Sequence, residues 1–324
     1  MRYLVTGGGG FIGSHLAERL IEQGHQVTAV DNLSTGQHRN IAHLEGNGLT
    51  LVVGSVTDEG LVRELVKDAD AVFHLASAVG VRLIIDQPVK TIETIINGTE
   101  LVLRACSRYR RRVLLTSTSE VYGKGTEVPF AEGDDHVLGS TTKRRWSYAT
   151  AKMVDEFLAL AHWHETGLPV VIVRLFNTVG PRQTGRYGMV IPSFVEQGLR
   201  GEPITVYGDG SQSRCFCHVR DAVKGMVALM ERPEAAGQVF NVGNDSETTI
   251  LELAEKVQGM TGGRSEIVLV PYDEAYTEGF EDMQRRVPDL TKIAEWIGYE
   301  PQYSLEDILR DVIEYVSNES GPAA

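Results

Sequence analysis

The sequence predicts a doubly wound α/β fold of the Rossmann type, a parallel sheet covered by helices on both faces, with a smaller C-terminal lobe interleaved with it. Three observations carry this expectation. A short apolar run, Arg2-Tyr3-Leu4-Val5-Thr6, passes through the glycine-rich loop Gly7-Gly8-Gly9-Gly10-Phe11-Ile12-Gly13 into an amphipathic stretch. Strand and helix signals then alternate as far as Arg174, the pattern of a parallel sheet covered on both faces. Beyond Asn177 the alternation loosens into a Gly- and Pro-rich stretch, Gly180 to Pro192, followed by short elements.

Taken in order, residues 2–6 read as the first strand and Phe11 to Gln23 as a helix that Gly24 stops. Residues 26–30 form the second strand, ending at Asp31. A strand at 49–53, a helix at 59–66, a strand at 71–75 and a long helix at 89–108 follow. The next strand spans 112–116, the next helix 146–165 and the next strand 169–174; a final helix covers 305–316. The expected division is a dinucleotide-binding domain at 1–176, with 214–243 returning to it, and a second lobe from 177–213 and 244–324.

The order strand, glycine loop, helix, strand, acid is that of a dinucleotide site, with the pyrophosphate at the helix N-terminus. Asp31 would accept hydrogen bonds from the adenosine ribose and repel a 2′-phosphate, so NAD is expected rather than NADP. A second feature bears on chemistry. Tyr148 and Lys152 stand four apart in a helical stretch, which places phenol and ammonium on one face. The ammonium would lower the phenol's pKa, letting it remove a proton from a hydroxyl while a nicotinamide takes the hydride.

Composition sets bounds. The 324 residues are 42% hydrophobic and 23% charged, ordinary for a globular enzyme, and long enough for one large or two modest domains. A formal net charge of -13 argues against binding nucleic acid or an anionic membrane surface. Cys106, Cys215 and Cys217 offer no zinc-ligand spacing and no even disulfide framework, and no metal site is expected. With the first strand at residue 2 and no run of membrane-spanning length, a cytoplasmic location is expected. His74, at a strand end, reads as a satisfied packing histidine; His162 and His164 point to different helix faces and make poor co-ligands.

The loop, Asp31, the run Ser117-Thr118-Ser119 and the Tyr148/Lys152 pair, with 176–182 (FNTVGPR) and 206–214 (VYGDGSQSR), resemble the extended short-chain dehydrogenase/reductases that modify nucleotide sugars. The resemblance covers nearly the whole chain. It implies NAD held against Gly7, Gly10, Phe11, Ile12, Gly13, Asp31, Asn32, Ser34, Thr35, Gly36, Ser55, Val56, Leu75, Ala76 and Ser77, with Tyr148 and Lys152 at the nicotinamide end. A UDP- or dTDP-sugar would lie against Arg82, Ser119, Asn177, Arg182, Arg186, Val190, Tyr207, Gln212, Arg214 and Arg286. Thr118 would bond the reacting hydroxyl and Tyr148 take its proton. The two long helices imply a homodimer through residues such as Ile92, Ile96, Val102, Val154, Phe157 and Leu158.

Within that family, 117–123 (STSEVYG) is similar to the Thr-Ser-Glu signature of UDP-glucuronate decarboxylases, and Ser119 stands where a dTDP-glucose dehydratase usually carries Asp. Oxidation at C4 makes the uronate a β-keto acid, and Glu120 would sit near C5 to help expel its carboxylate. The structural alternative for Glu120 is a carboxylate that satisfies backbone N–H groups at the strand end. The loop 79–82 (VGVR) is more similar to UDP-sugar 4-epimerases, where Arg82 would retain the carboxylate, and Ser55 replaces an Asp that often reaches the adenine. The first expectation is a UDP-glucuronate decarboxylase yielding UDP-xylose or a 4-keto-pentose; a UDP-sugar 4-epimerase is the rival, and a non-catalytic NAD-binding scaffold the remote one.

Overall fold

Seven parallel strands make the central sheet of this computed structural model, which describes residues 1–77, 87–185, 189–271 and 283–320. In chain order they are β1 (Arg2–Thr6), β2 (Gln26–Asp31), β3 (Leu49–Val53), β4 (Ala71–His74), β5 (Arg112–Thr118), β6 (Val170–Leu175) and, much later, β11 (Gln238–Val242). The spatial order β3-β2-β1-β4-β5-β6-β11 reverses direction at β1, the doubly wound arrangement expected, with ligands bound at the carboxyl ends of the strands beside the reversal.

Helices α1 (Phe11–Glu22), α2 (Glu59–Asp68), α3 (Pro88–Tyr109) and α4 (Trp146–Thr166) supply the crossovers. One face of the sheet packs Leu16, Ala17 and Leu20 of α1 together with Ala222, Val223 and Met226 of a later helix, Val219–Met230. The other face packs Val62 and Val66 of α2, Val102 and Leu103 of α3 and Ala159 of α4. Because both faces are covered, β4, β5 and β6 are buried almost throughout, and the apolar stretches 71–73, 113–115 and 170–173 read as continuous runs in the sequence.

The remaining helices are α5 (Val190–Arg200), α6 (Val219–Met230), α7 (Ile250–Met260), α8 (Thr291–Ile297) and α9 (Leu305–Ser320). Here β7 (Thr178–Val179) pairs with β10 (Cys217–His218), β8 (Ile204–Tyr207) with β13 (Ile267–Val270), and β9 (Ser213–Cys215) with β12 (Glu247–Thr249). A separate apolar cluster, including Phe194, Ile204, Leu253, Ile308 and Leu309, holds α5, α7, β8 and α9 together. β11 pairs with β6 and α6 packs on α1, so the chain between 219 and 242 lies with the large sheet.

A buried polar network braces the sheet edge beneath the cleft. Arg174 of β6 donates to Glu156 of α4 (Nη2 to Oε2, 2.8 Å) and to the Tyr122 hydroxyl (3.0 Å), and Tyr122 donates to Asn241 of β11 (2.7 Å). Ser117 of β5 donates to the same Glu156. A buried ion pair is held by such additional bonds.

Burial also sets an acid limit on stability. His74 is pushed down to about 3 and His15 to about 4, both by burial first. Each binds a proton in the unfolded chain below about pH 6.5 but not in the folded one, so stability falls as pH drops through that window. For His74→Gln, the loss of unfolding free energy between pH 7 and 5, read from urea titrations, should shrink by about 2 kcal/mol relative to wild type.

Candidate active site

Since the strands run parallel, the ends of β1, β2, β4 and β5 lie along one edge of the sheet, and each carries part of a site. At β1 the loop turns sharply: Gly7 takes φ +71°, and a methyl group there would meet Ala76 Cα and N at 3.0 Å. A side chain at Gly13 would collide with the Gly7 carbonyl oxygen and lie 2.9 Å from Gly8 Cα. Gly10 caps α1 with no side-chain hydrogen bond, and no acidic residue stands in the first turn. The helix N–H groups and the positive end of its dipole are therefore turned to an anion.

Asp31 closes β2. Its Oδ2 accepts from Gly9 N (3.0 Å) and its Oδ1 from Leu33 N (2.8 Å); burial raises its pKa and these backbone bonds partly restore it. A carboxylate has about four acceptor sites, so capacity remains for two ribose hydroxyls. Gly36 sits against this carboxylate, where a methyl group would come within 2.8 Å of Oδ2. Asn32 accepts from Ser34 N (3.0 Å), shaping the turn that leads to Thr35. Ser55 is bonded to Thr57 (2.7 Å), and Val56 is buried against Gly98 on α3.

At the end of β4, Leu75 N and Ala76 N both donate to Thr6 Oγ1 (3.1 Å each), while the buried Ser77 hydroxyl has no hydrogen-bond partner. Cradle, uncapped helix end, acid and unpaired hydroxyl together fit a dinucleotide. Gly13→Ala should therefore weaken NAD binding more than tenfold by calorimetry and cost about 1–3 kcal/mol of stability, because backbone atoms cannot move aside.

The reactive groups meet where β5 ends and α4 begins. Thr118 closes β5; its Oγ1 accepts from Glu120 N (3.2 Å) and its hydroxyl is hydrogen-bonded to the Tyr148 phenol. Tyr148 lies on the first turn of α4, and Lys152 follows one turn on, buried, with its ammonium on Asp155 Oδ2 (2.8 Å). The expected lowering of the phenol's pKa does not occur in this state. Burial raises it well above its ordinary value, and the Glu120 and Asp155 carboxylates add to that while Arg286 opposes it. The physical reason is burial first, and the Lys152 ammonium is itself paired with the Asp155 carboxylate.

Glu120 does not satisfy backbone N–H groups; it forms ion pairs. Its carboxylate accepts from Arg145 (3.1 Å) and from Arg286, and its side chain is 19% exposed. Burial would raise its pKa, but Arg145, Arg286 and Arg214 outweigh that and hold it ionised below the ordinary range.

The structure brings several of the expected sugar-nucleotide residues together here. Asn177 accepts from Arg286 and donates to Cys215 O (2.9 Å). Arg214, nearby, donates to Ser213 O (2.7 Å) and Gln284 O (3.3 Å). Ser119 is buried beside Thr118, and Val190 opens α5 half-buried. Gln212 donates to the carbonyl of half-exposed Tyr207 (3.0 Å) at the rim of the second lobe. Arg182 turns elsewhere, pairing with Glu18 of α1 (3.0 Å). Arg82, with its loop, and Arg186 lie outside the described residues.

Sequence reasoning passed over Arg145 and Asp155. Both were within reach, since 145, 148, 152 and 155 follow one another at spacings of three and four on a single helix face. The three cysteines are free and buried, and among the described residues no cluster could hold a metal and no helix is long and apolar enough to cross a membrane.

The profile of the NAD dependent epimerase/dehydratase family matches residues 3–243. The chain is similar to the UDP-N-acetyl-alpha-D-glucosaminuronate decarboxylase of Bacillus cytotoxicus, 44% identical over 315 residues that cover 97% of each. It is also similar to UDP-glucuronic acid decarboxylase 1 of Danio rerio, 38% identical over 98% of this chain and 73% of the relative. Among solved structures, the UDP-glucose 4-epimerase of Thermotoga maritima with UDP-glucose superposes with a TM-score of 0.88, 33% identity and 99% coverage of both chains. With more than half of its length matched by the family profile and relatives this similar along nearly all of it, the chain belongs to the NAD-dependent epimerase/dehydratase family.

Proposed function

We propose that the protein is a UDP-glucuronate decarboxylase. The observation that carries this reading is Glu120, an ionised carboxylate held by Arg145 and Arg286 within the shell of the Thr118–Tyr148 pair. The names of the two curated relatives, both decarboxylases of UDP-uronates, support it.

The glycine loop, the N-terminus of α1 and Asp31 would hold NAD, which when bound would supply reversible hydride transfer at sugar C4. Tyr148 takes the C4 hydroxyl proton, and Thr118 holds that oxygen in line. Lys152 has three donors, of which one goes to Asp155, leaving two for the phenolate and a cofactor ribose. With a carbonyl at C4, the C6 carboxylate lies β to it and leaves as CO2. Glu120, kept anionic, disfavours a second carboxylate at C5 and not the neutral product, so its repulsion is relieved as CO2 departs. Arg145, Arg286 and Arg214 give the pocket a net positive balance suited to a diphosphate.

Incubation of the purified protein with UDP-glucuronate and NAD, followed by mass spectrometry and NMR, tests this. Loss of CO2 with UDP-xylose or a 4-keto-pentose is expected; UDP-galacturonate at unchanged mass would establish the epimerase instead. The relative at 44% identity favours a second reading, a substrate with an acetamido group at C2, which a parallel incubation with UDP-N-acetylglucosaminuronate decides by the ratio of kcat/KM.

We further infer that two copies associate through α3 and α4. Phe157 of α4 is 67% exposed and Val89 of α3 66%, whereas Val102, expected at this contact, is fully buried against the sheet and cannot take part in it. Light scattering at micromolar concentration should give twice the chain mass, and Phe157→Glu the mass of one chain.

A further inference from the structure

Behind Lys152 runs a chain of buried polar groups that the proposed reaction does not use. Thr6, His74, Thr99, Lys152 and Asp155 are each 3% exposed or less. Burying five polar groups in one line is costly unless every one is matched, and a matched network becomes rigid.

The direction of each proton follows from the donors. Thr6 Oγ1 accepts from Leu75 N and Ala76 N (3.1 Å each), which occupies both lone pairs, so its own proton is directed to His74 Nδ1 (2.8 Å). His74 is neutral, kept so by burial and by the nearby Lys152 charge. Its ring proton is therefore on Nε2 and faces Thr99 Oγ1 (3.1 Å). The Thr99 hydroxyl is then left to point onward to the Asp155 carboxylate, whose pKa it lowers and whose Oδ2 holds Lys152 at 2.8 Å. The line starts on β1, one residue before the glycine loop, passes β4 and α3, and ends on α4.

We propose that Asp155 is a positioning residue for Lys152, fixed by the directed chain Thr6–His74–Thr99, and that it sets how much of the lysine's charge reaches Tyr148. The inference rests on the reading of Tyr148 and Lys152 as the acid/base pair. The charged groups around Tyr148 are Glu120 and Arg286 on the cleft side and Lys152 and Asp155 along its own helix, with Glu156 beside Asp155. Of these, Asp155 pairs directly with the lysine at 2.8 Å, so neutralising it changes the lysine's environment and removes one of the two carboxylates that hold the phenol protonated.

The test is a UV difference titration of the tyrosines, with Tyr148→Phe as the subtraction standard, in protein free of substrate and cofactor. In Asp155→Asn the Tyr148 titration should move down by about one pH unit, and Asp155→Glu, which restores the charge, should return it to the wild-type position. His74→Gln cuts the chain without changing any charge on the lysine pair; it should lower kcat for hydride transfer about tenfold while leaving the titration in place. An unmoved Tyr148 titration in Asp155→Asn would overturn the proposal, as would wild-type kcat in His74→Gln. Should Asp155→Asn fail to fold, the His74→Gln rate decides. A wild type silent toward UDP-uronates would sink the decarboxylase reading instead, and the substrate-free titration would still stand on its own.

Discussion

Tyr148→Phe should lower turnover about 10³-fold with NAD affinity and thermal stability close to wild type, the magnitude set by the usual contribution of a positioned general base. The substitution removes one oxygen. That oxygen is hydrogen-bonded to Thr118, whose Oγ1 keeps its second bond from Glu120 N, so no buried group is left wholly unpaired. The ring packing is retained. Rapid mixing with UDP-glucuronate, following NADH formation, separates this from a binding defect: the amplitude should vanish while KM stays within a fewfold. The phenol's raised pKa sharpens the expectation. In the ligand-free protein burial and two carboxylates keep it protonated, so it becomes a base only once positive charge is added nearby, and wild-type C4 oxidation should rise with pH through the neutral range. A variant within tenfold of wild type would show that another group takes the proton.

How much of this was legible beforehand varies along the chain for physical reasons. From β1 to β6 the strands, the edge strand β3 apart, are largely buried on both faces and separated by helices, so apolar runs and periodic stretches locate them to within a few residues; β5 runs two residues past the expected end, carrying Thr118 on its last position. The second half offers weaker signals. α6 is capped by His218, an unusual N-cap, which conceals its start. β7, β9, β10 and β12 are two or three residues long and owe their existence to tertiary pairing. α7 is different, since Thr249 and Glu252 form a full capping box that the sequence displays openly and that went unread. In the site, Tyr148, Lys152, Thr118 and Glu120 follow from local pattern, but their partners do not. That Lys152 meets Asp155 while Glu156 turns to Arg174 depends on which side of α4 faces the sheet, and spacing alone permits either carboxylate.

Glu120→Gln is expected to uncouple the two halves of the reaction. An amide of the same shape removes the charge from a place where it now balances Arg145 and Arg286. Two consequences differ in size. For stability, removing one member of a buried pair costs about 3–5 kcal/mol in full burial; with the Glu120 side chain 19% exposed, part of that is screened by water, and about 1–2 kcal/mol is expected. This contribution has a sign that can be checked: Glu120 is held below its ordinary range, so wild type gains from the pair above the unfolded pKa and loses it as pH falls, and the stability gap between wild type and variant should close in acid. For chemistry, C4 oxidation relies on Tyr148 and Thr118 and should slow only fewfold, even speeding where loss of the Glu120 charge eases ionisation of the phenol. CO2 release loses its electrostatic push and should slow about 10²-fold or more, so NADH should accumulate in the variant and not in the wild type. Equal loss of both steps would mean that Glu120 serves only to hold the two arginines in place, and the assignment of decarboxylation to this carboxylate would fall with it.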